Sequence, residues 1–313
     1  MKTLLLIDAH EMIHRAYHAL PELPNKDGVP TNAVYGFFMI LQKVLSEFQP
    51  THLAICFDTP VKTFRKELFK EYQSKRPPME TTLKVQIPLI KELLAKGNIT
   101  CLEKPGFEAD DVIGTLAEKH KKDFNRILIL TGDKDLLQLT DNNVFVITPK
   151  QGVTNFMLYT PEEVVKKFGI TADLVPDYKS LAGDSSDNYN TAKGIGPKTA
   201  VKLLTQFHTV EKLLEHVDEV ENEKWRTTLK EHKETILLFK QIATIVRNVD
   251  IDANSEQLTF KGFDQNMKTQ LLELNLNSLI TKLFAIKQIE SVEPSKKPVK
   301  EIKKNIEQID LFS

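Results

Sequence analysis

The sequence has few of the residues that stabilise small secreted proteins. Only two cysteines occur among its 313 residues, Cys56 and Cys101, and both stand in short apolar runs. Two cysteines cannot form a disulfide framework or a cysteine-rich zinc site. We therefore expect both thiols to behave as small core residues.

Long hydrophobic runs are also missing. The apolar run that begins at Leu4 already ends at Asp8, whereas the core of a signal peptide needs at least about seven apolar residues. No segment approaches the length of a membrane-spanning helix. We therefore expect a cytoplasmic protein with no membrane partner.

An excess of charge of one sign is absent too. The formal net charge is −1, and hydrophobic and charged residues make up 41% and 27% of the chain, as in ordinary globular proteins. No overall basic field marks the chain as a nucleic-acid-binding protein. This balance does not exclude a nuclease, because acidic residues in the site and basic residues around it cancel in the sum.

In the first half of the chain, short apolar runs alternate with helical patterns. The runs predict buried strands at 4–7, 53–57, 127–130 and 144–147. Helices are predicted after Asn32, which could cap the first of them, and at 81–96 and 109–120. The alternation favours an α/β fold with a mainly parallel central sheet flanked by helices.

Beyond about residue 160 the strand pattern ends. Helical patterns follow at 161–168, 173–181, 198–207, 210–216, 234–247, 264–274 and 276–286. The last segment is rich in lysine, glutamate and proline, a composition that cannot bury a core. We expect an α/β domain at 1–170, a smaller all-helical domain at 171–288 and a mobile tail at 289–313.

Acidic residues stand where the predicted strands end. The first strand ends at Asp8, the second at Asp58, and the third runs into Asp133 and Asp135. The carboxyl ends of parallel strands meet at one edge of a sheet, which is where ligands bind in open α/β folds. Two further groups lie in helix-entry sequences, namely Glu108, Asp110 and Asp111, and Asp184 and Asp187.

Each of these acids has an ordinary structural explanation when taken alone. Asp8 or Asp58 could end a strand in a turn, and acids such as Glu108 are favourable at a helix N-terminus. Their convergence changes the interpretation, because neighbouring carboxylates repel one another unless protons or metal ions neutralise them. Oxygen ligands without histidine or cysteine suit Mg²⁺ or Mn²⁺. The pattern therefore predicts a divalent-metal site.

Four motifs carry a resemblance to a known family. They are Phe57-Asp58-Thr59, Gly106-Phe107-Glu108-Ala109-Asp110-Asp111, the run from Gly132 to Leu139, and the run from Gly183 to Asn188. In order and spacing they resemble the 5′-nuclease domain of bacterial DNA polymerase I, which belongs to the flap endonuclease superfamily. The resemblance covers residues 1–286. Since no polymerase sequence follows, we expect a stand-alone 5′-3′ exonuclease.

The resemblance implies both a fold and a mechanism. The α/β domain would be resolvase-like (a PIN-type fold), and two or more divalent ions about 4 Å apart would straddle the scissile phosphate. The carboxylates that match the family pattern as metal ligands are Asp8, Asp58, Glu108, Asp110, Asp111, Asp133, Asp135, Asp184 and Asp187.

A glycine-containing turn precedes one of the predicted helices. Gly194 and Gly196 stand before Pro197, and Lys198 and Thr199 follow in the first turn. Backbone N–H groups at such a helix start can bind phosphate, although a plain helix–turn–helix corner is the simpler reading of the pattern alone. The resemblance implies a helix-three-turn-helix that binds duplex DNA, often around K⁺. The matching carbonyls belong to Leu181, Ala182, Asn190, Ala192 and Ile195, but Asn190-Thr191 replace the usual Pro-Gly.

The stretch 62–76 interleaves basic and aromatic residues. That mixture suits single-stranded DNA, while a solvated amphipathic helix is equally compatible with the pattern. The resemblance implies a helical arch at about 60–90, in which Arg65 and Tyr72 would contact DNA. Gln73 stands where relatives commonly have lysine, so Lys75 or Arg76 would supply the catalytic positive charge.

Together these features predict a structure-specific 5′-3′ exonuclease and flap endonuclease. We expect a monomer that acts on branched, flapped or nicked double-stranded DNA in primer removal and excision repair. Two other classes stay open: a catalytically weak junction-binding protein, favoured by Gln73, and a ribonuclease of the related small-nuclease fold. The predicted helical domain argues against the ribonuclease.

The last residues of the chain form a short motif. Gln308, Leu311 and Phe312 resemble the peptide with which bacterial replication proteins bind the sliding clamp. Two apolar anchors on a mobile tail suffice for weak, tethered binding. The alternative is a final packed helix, since Ile302, Ile306 and Ile309 keep helical spacing.

Overall fold

A computed structural model describes residues 1–150, 155–189 and 194–285. Its centre is a six-stranded sheet in the order β3-β2-β1-β4-β5-β6. The strands are β1 (Thr3–Asp8), β2 (His52–Cys56), β3 (Cys101–Leu102), β4 (Arg126–Leu130), β5 (Val144–Pro149) and β6 (Phe156–Tyr159). All neighbours pair in parallel except β5 and β6, which are antiparallel. The predicted α/β fold with a mainly parallel sheet is confirmed.

Fourteen α-helices occur in the described residues. They are α1 (Ala9–Ala19), α2 (Asn32–Phe48), α3 (Phe64–Leu68), α4 (Thr81–Lys84), α5 (Gln86–Lys96), α6 (Ala109–Lys119), α7 (Pro161–Phe168), α8 (Val175–Ala182), α9 (Pro197–Phe207), α10 (Val210–Glu215), α11 (Glu223–Glu231), α12 (Lys233–Ala243), α13 (Gln265–Glu273) and α14 (Asn277–Phe284). None of them is long and apolar enough to cross a membrane.

The central strands are buried on both faces of the sheet. Every residue of β1 is buried, so its side chains contribute alternately to two hydrophobic clusters. Leu4 and Leu6 lie in one cluster with residues of α6 and of the helices α8 to α11, whereas Leu5 and Ile7 lie in the other with residues of α1, α2 and α5. Helices therefore cover both faces, and the edge of the sheet is left for the site.

The last two helices do not pack with the other helices of the second half. Met267, Leu271 and Leu279 belong to the cluster formed by α1, α2 and α5, on the opposite face of the sheet from α8 and α9. The described helices of the predicted unit 171–288 therefore contribute to two hydrophobic clusters. We propose that the DNA-binding helices end with α12 and that α13 and α14 close the core of the α/β part.

Some local expectations were wrong. Asn32 does not cap α2 from outside but is its first residue, and the amide oxygen of Gln86 accepts the N–H groups of Ala33 and Val34 at 2.8 and 3.2 Å. The helix expected at 81–96 is interrupted at Val85. Cys101 is exposed, because it lies on the two-residue edge strand β3, whereas Cys56 is buried as expected.

Candidate active site

Three neighbouring strands bring their carboxyl ends to one cavity. β2, β1 and β4 lie side by side in the sheet, and Asp8, Asp58 and Asp133 stand at or just after their ends. The cavity has a volume of about 470 Å³. The carboxylates that line it belong to Asp8, Glu11, Asp58, Glu108, Asp110, Asp133, Asp135 and Asp187.

Asp8 links the end of β1 to the start of α1. One carboxylate oxygen accepts the N–H of Glu11 at 3.2 Å, which makes Asp8 the N-cap of α1. The other accepts the hydroxyl of Thr131 at 3.0 Å, at the end of the neighbouring strand β4. The side chain is therefore held in one orientation between two strands, with the residue only 6% exposed.

The acids after β2 and β4 are fixed by their own backbone surroundings. Asp58 accepts the N–H of Ala109 at 2.8 Å, so it anchors the first turn of α6, which carries Asp110. Asp133 donates its N–H to the hydroxyl of Thr131 at 3.0 Å and accepts the N–H of Asp135 at 2.8 Å. These bonds place acids from three separate segments around one space.

The carboxylates disfavour one another's ionisation. Burial raises the pKa of Asp8 well above its usual range, with a further contribution from the charge of Asp58. Burial raises the pKa of Asp110 in the same way, followed by the charge of Asp133. Burial also raises the pKa of Glu108 to about 6, although the guanidinium of Arg65 opposes the shift. A divalent cation relieves such repulsion, so the donor set fits a hard metal ion.

Two of the lining acids, Asp135 and Asp187, form a tighter group with Asp184. One carboxylate oxygen from each of Asp135, Asp184 and Asp187 lies within 4.8 Å of the others, close enough to share a metal ion. The ammonium group of Lys179 forms ion pairs with Asp135 and Asp184, the latter at 2.5 Å. Although burial opposes it, Lys179 holds the pKa of Asp184 below its usual value.

Asp111 was expected among the metal ligands, but the structure places it elsewhere. It is fully buried and does not line the cavity. Its two oxygens accept the guanidinium of Arg65 at 2.7 and 2.8 Å, and they also accept the N–H groups of Glu108 and Val246 at 3.1 and 2.9 Å. With its lone pairs occupied in this way, Asp111 is a structural residue.

Arg65 was expected to contact DNA, but the structure buries most of its side chain, although it lines the cavity. The residue is 3% exposed. Besides pairing with Asp111, its guanidinium donates to the carbonyls of Ile242 and Thr244 at 2.8 and 3.1 Å. Arg65 therefore joins α3, α6 and the end of α12. Tyr72 is also buried, and its hydroxyl donates to Glu108 at 3.2 Å; it is part of the cavity wall and not an exposed stacking surface.

In the segment expected to form a helical arch, the basic and aromatic stretch 62–76 contains only one short helix. α3 has five residues, and turns follow at 70–75. The N–H of Gln73 donates to the carbonyl of Asp187 at 3.0 Å, and Arg76 lies 2.8 Å from the Asp187 carboxylate. Both side chains line the cavity, together with Lys62 and Lys66, whereas exposed Lys75 does not. Of the two cations expected to be catalytic, Arg76 is the one at the site.

The glycine-containing turn leads into α9 as expected. Gly194 has a φ of 96°, which favours glycine, and Gly196 is the N-cap residue with Pro197 in the first turn. Lys198 is exposed and Thr199 is half-buried. Of the carbonyls expected around K⁺, those of Leu181, Ala182 and Ile195 are in described segments, whereas Asn190 and Ala192 lie outside the described residues.

Sequence reasoning missed some residues at this site. Glu11 lines the cavity, and its pKa is raised by burial and by Asp133. Its position one helical turn after Asp8 could have indicated that it faces the same site. Gly132 permits this approach, because a Cβ there would collide with the Glu11 carboxylate. His10 lies 3.4 Å from the carboxylate of Asp58. Neither His10 nor Lys179 stands in a sequence pattern that would have indicated its place at the site.

Comparisons with known proteins match nearly the whole described chain. The family model of the 5′-3′ exonuclease N-terminal resolvase-like domain matches residues 3–169, and that of the 5′-3′ exonuclease C-terminal SAM fold matches residues 170–266. DNA polymerase I of Bacillus subtilis (strain 168) is 43% identical over 283 residues, which are 90% of this chain and 32% of the polymerase. The chain thus spans about a third of that relative's length.

A relative of similar length is the 5′-3′ exonuclease of Aquifex aeolicus (strain VF5). It is 39% identical over 287 residues, which are 91% of this chain and 96% of the relative. Among solved structures, the T5 D15 protein co-crystallised with metal ions has a TM-score of 0.67 at 15% identity, covering 91% of this chain and 98% of that one. The catalytic core of Rad2 in complex with DNA substrate has a TM-score of 0.61 at 16% identity, covering 91% and 92%. At these identities, the two structures show a shared fold.

Proposed function

Because the chain belongs to the 5′-3′ exonuclease family, we propose that it hydrolyses phosphodiester bonds at the 5′ ends, nicks and 5′ flaps of DNA. The observation that carries the proposal is the convergence of acids from three parallel strands and two helix entries on one cavity. Such a site suits an anionic substrate only when cations neutralise it, and metal-assisted phosphate hydrolysis requires this arrangement. Primer removal and excision repair are the processes that such an activity serves.

The metal ions are proposed to be Mg²⁺ or Mn²⁺, since every candidate ligand is a carboxylate oxygen. Asp8, Asp110 and Asp133 would hold one ion, because all three line the cavity and the charges of Asp133 and Asp8 act most strongly on Asp110. Asp135, Asp184 and Asp187 would hold a second. When bound, divalent ions neutralise charge on the scissile phosphate and lower the pKa of water. Asp58 and Glu108 complete the acidic wall.

The cavity lining also supplies positive charge. Arg76, Lys62 and Lys66 line it, and Arg76 keeps half of its side chain exposed while paired with Asp187. We propose that Arg76 exchanges this carboxylate for a phosphate oxygen when DNA enters. Gln73 beside it adds an amide where relatives commonly have a lysine. This arrangement leaves Arg76 as the charged group that positions the scissile phosphate.

The helical part would hold the duplex beyond the cut. The turn before α9 leaves the first N–H groups of the helix at a surface where Gly194 and Gly196 have open space around their Cα atoms. Such a helix start binds phosphate through its N–H groups, and Lys198 and Thr199 lie beside it. K⁺ at the neighbouring carbonyls stays a prediction, as do a monomeric state and a cytoplasmic location.

Of the other two classes, a junction-binding protein without catalysis is disfavoured by the complete acidic cavity. A ribonuclease of the small-nuclease fold is disfavoured by the helical part, which the second family model also matches. The discriminating experiment is incubation with end-labelled flapped, nicked, single-stranded and RNA substrates in Mg²⁺, followed by sizing of the products. We expect cleavage at the flap junction and at the nick, at far higher rates than on RNA. Binding without products would favour the junction-binding protein.

We further propose a sliding clamp as partner of the C-terminal peptide. Gln308, Leu311 and Phe312 lie outside the described residues, so the proposal rests on their sequence. Titration of the cognate clamp with a peptide of residues 305–313 should give weak, saturable binding that a peptide with Leu311→Ala and Phe312→Ala lacks. Absence of binding at high micromolar concentrations would refute the proposal. A lower melting temperature after deletion of residues 308–313 would indicate a packed helix instead.

A further inference from the structure

One face of α1 carries a row of histidines. His10, His14 and His18 follow one another at intervals of four residues, which places them on the same side of the helix. The proposed nuclease chemistry assigns a role to none of these three imidazoles. Imidazole pairs at this spacing are a recurrent way of holding a transition-metal ion on a helix.

The first pair has the spacing of a zinc peptidase motif, but its geometry does not support such a site. His10-Glu11-Met12-Ile13-His14 matches the pattern H-E-x-x-H. However, the Nδ1 atom of His10 accepts the N–H of Asp58 at 3.2 Å and lies 3.4 Å from the carboxylate. His10 is thus part of the acidic site and points away from a separate metal centre.

The second pair is free of such contacts. The rings of His14 and His18 stack at an interplanar angle of 27°, with their centroids 6.3 Å apart. Within the described parts of the chain, neither ring forms a hydrogen bond. Both line a surface cavity of about 390 Å³, together with Glu11 and Arg15. Burial and the nearby charges of His10 and His18 lower the pKa of His14.

We propose that His14 and His18 bind a divalent transition-metal ion, of the class of Cu²⁺, Ni²⁺ or Zn²⁺, at the edge of the active-site cavity. Neutral imidazoles favour these ions over Mg²⁺, which prefers oxygen. One ion bound by both rings at metal–nitrogen distances of about 2.1 Å needs ring centroids about 5 Å apart. The exposed side chain of His18 can rotate to close that gap.

The charged neighbours of His14 and His18 are compatible with a bound ion, and the ion would change the charge of the active-site cavity. Arg15 lines the same cavity and opposes a cation, whereas Glu11 lies one turn before His14 and supplies a carboxylate. His14 also lines the active-site cavity. An ion held by the pair therefore adds positive charge at the edge of the cavity that is proposed to receive the scissile phosphate.

Electron paramagnetic resonance with Cu²⁺ tests the proposal directly. The full chain without an affinity tag is titrated with Cu²⁺ in excess Mg²⁺, which occupies the carboxylate sites. The wild-type protein is expected to bind one tight Cu²⁺ whose spectrum shows nitrogen coupling, because imidazole nitrogen and carboxylate oxygen give different splittings. His18→Gln should weaken this binding at least about tenfold and remove the two-nitrogen pattern, and His14→Gln should do the same.

His232→Gln is the matched control, since His232 is exposed and far along the chain in α11's C-cap. It should leave both affinity and spectrum unchanged. His18 is exposed as well, so its replacement is not expected to disturb folding, which circular dichroism would verify. An oxygen-only spectrum in the wild type would overturn the proposal. Equal loss in the His232 variant, or retention of the nitrogen pattern without His14 and His18, would overturn it too.

Discussion

Replacement of Arg65 by methionine tests how the site is held together. Arg65 joins α3 to Asp111 of α6 by two guanidinium bonds of 2.7 and 2.8 Å, and to the carbonyls of Ile242 and Thr244 at the end of α12. Methionine preserves most of the volume but leaves the Asp111 carboxylate without its counter-ion. Asp111 is 0% exposed, so solvent cannot replace the lost charge.

The expected cost follows from the burial of the pair. Removing one partner of a buried ion pair costs about 3–5 kcal/mol, because the remaining charge stays buried. This is a large share of the roughly 5–15 kcal/mol that stabilises a typical protein. For a chain of 313 residues, a loss of that size corresponds to a fall in melting temperature of roughly 5–8 °C. The structure therefore predicts a severely destabilised Arg65→Met variant.

Urea unfolding followed by circular dichroism measures the change. Lys91→Gln is the control, because the ion pair of Lys91 with Glu103 is exposed at both ends, with side-chain exposures of 38% and 46%. Such a pair contributes less than about 1 kcal/mol. Arg65→Met/Asp111→Asn should recover part of the loss by removing the buried charge. If Arg65→Met costs no more than Lys91→Gln, the inferred network does not stabilise the protein.

Other changes test separate features. Gln73→Lys should raise the single-turnover cleavage rate without a matching gain in affinity for DNA, and equal rates would show that Arg76 already fills the role. Gly194→Ala places a side chain at a φ of 96° and should weaken duplex binding in anisotropy titrations, with a stability loss of about 1 kcal/mol. Burial raises the pKa of Glu108 from 4.5 to about 6, so the folded form binds this proton more tightly than the unfolded chain. In metal-free buffer Glu108 should therefore contribute a fall of roughly 2 kcal/mol in the free energy of unfolding as the pH rises through that interval, and Glu108→Gln should reduce the pH slope in urea titrations by that amount.

The strands that carry the site were predictable because their sequences are short apolar runs that end in acids. Asp8, Asp58 and Asp133 follow directly from that pattern, since parallel strands share an edge. β6 was not predictable, because it is a partly exposed edge strand without a clear alternation. β3 has only two residues and is too short for any periodicity.

The positions that the sequence did not anticipate share a physical cause. A carboxylate such as Asp111 and a cation such as Arg65 give no local sign of whether they face solvent, a metal ion or each other. Their partner atoms in Ile242 and Thr244 lie 177 and 179 residues from Arg65 along the chain. Pairing over such distances depends on the tertiary fold, which periodicity and spacing do not report.

The most direct test of the acidic site is single-turnover cleavage of a 5′-flap substrate by Asp133→Asn in Mg²⁺. Asp173→Asn, an exposed Asp in the same chain, is the matched control. The cleavage rate of Asp133→Asn is expected to be at least about a hundredfold lower than that of the wild type, since a lost metal ligand removes several kcal/mol of transition-state stabilisation. Its flap affinity should be unchanged or tighter, because one negative charge no longer faces the phosphates, and Asp173→Asn should match the wild type. A near-normal rate for Asp133→Asn would contradict the assignment of this cavity as the metal-dependent active site.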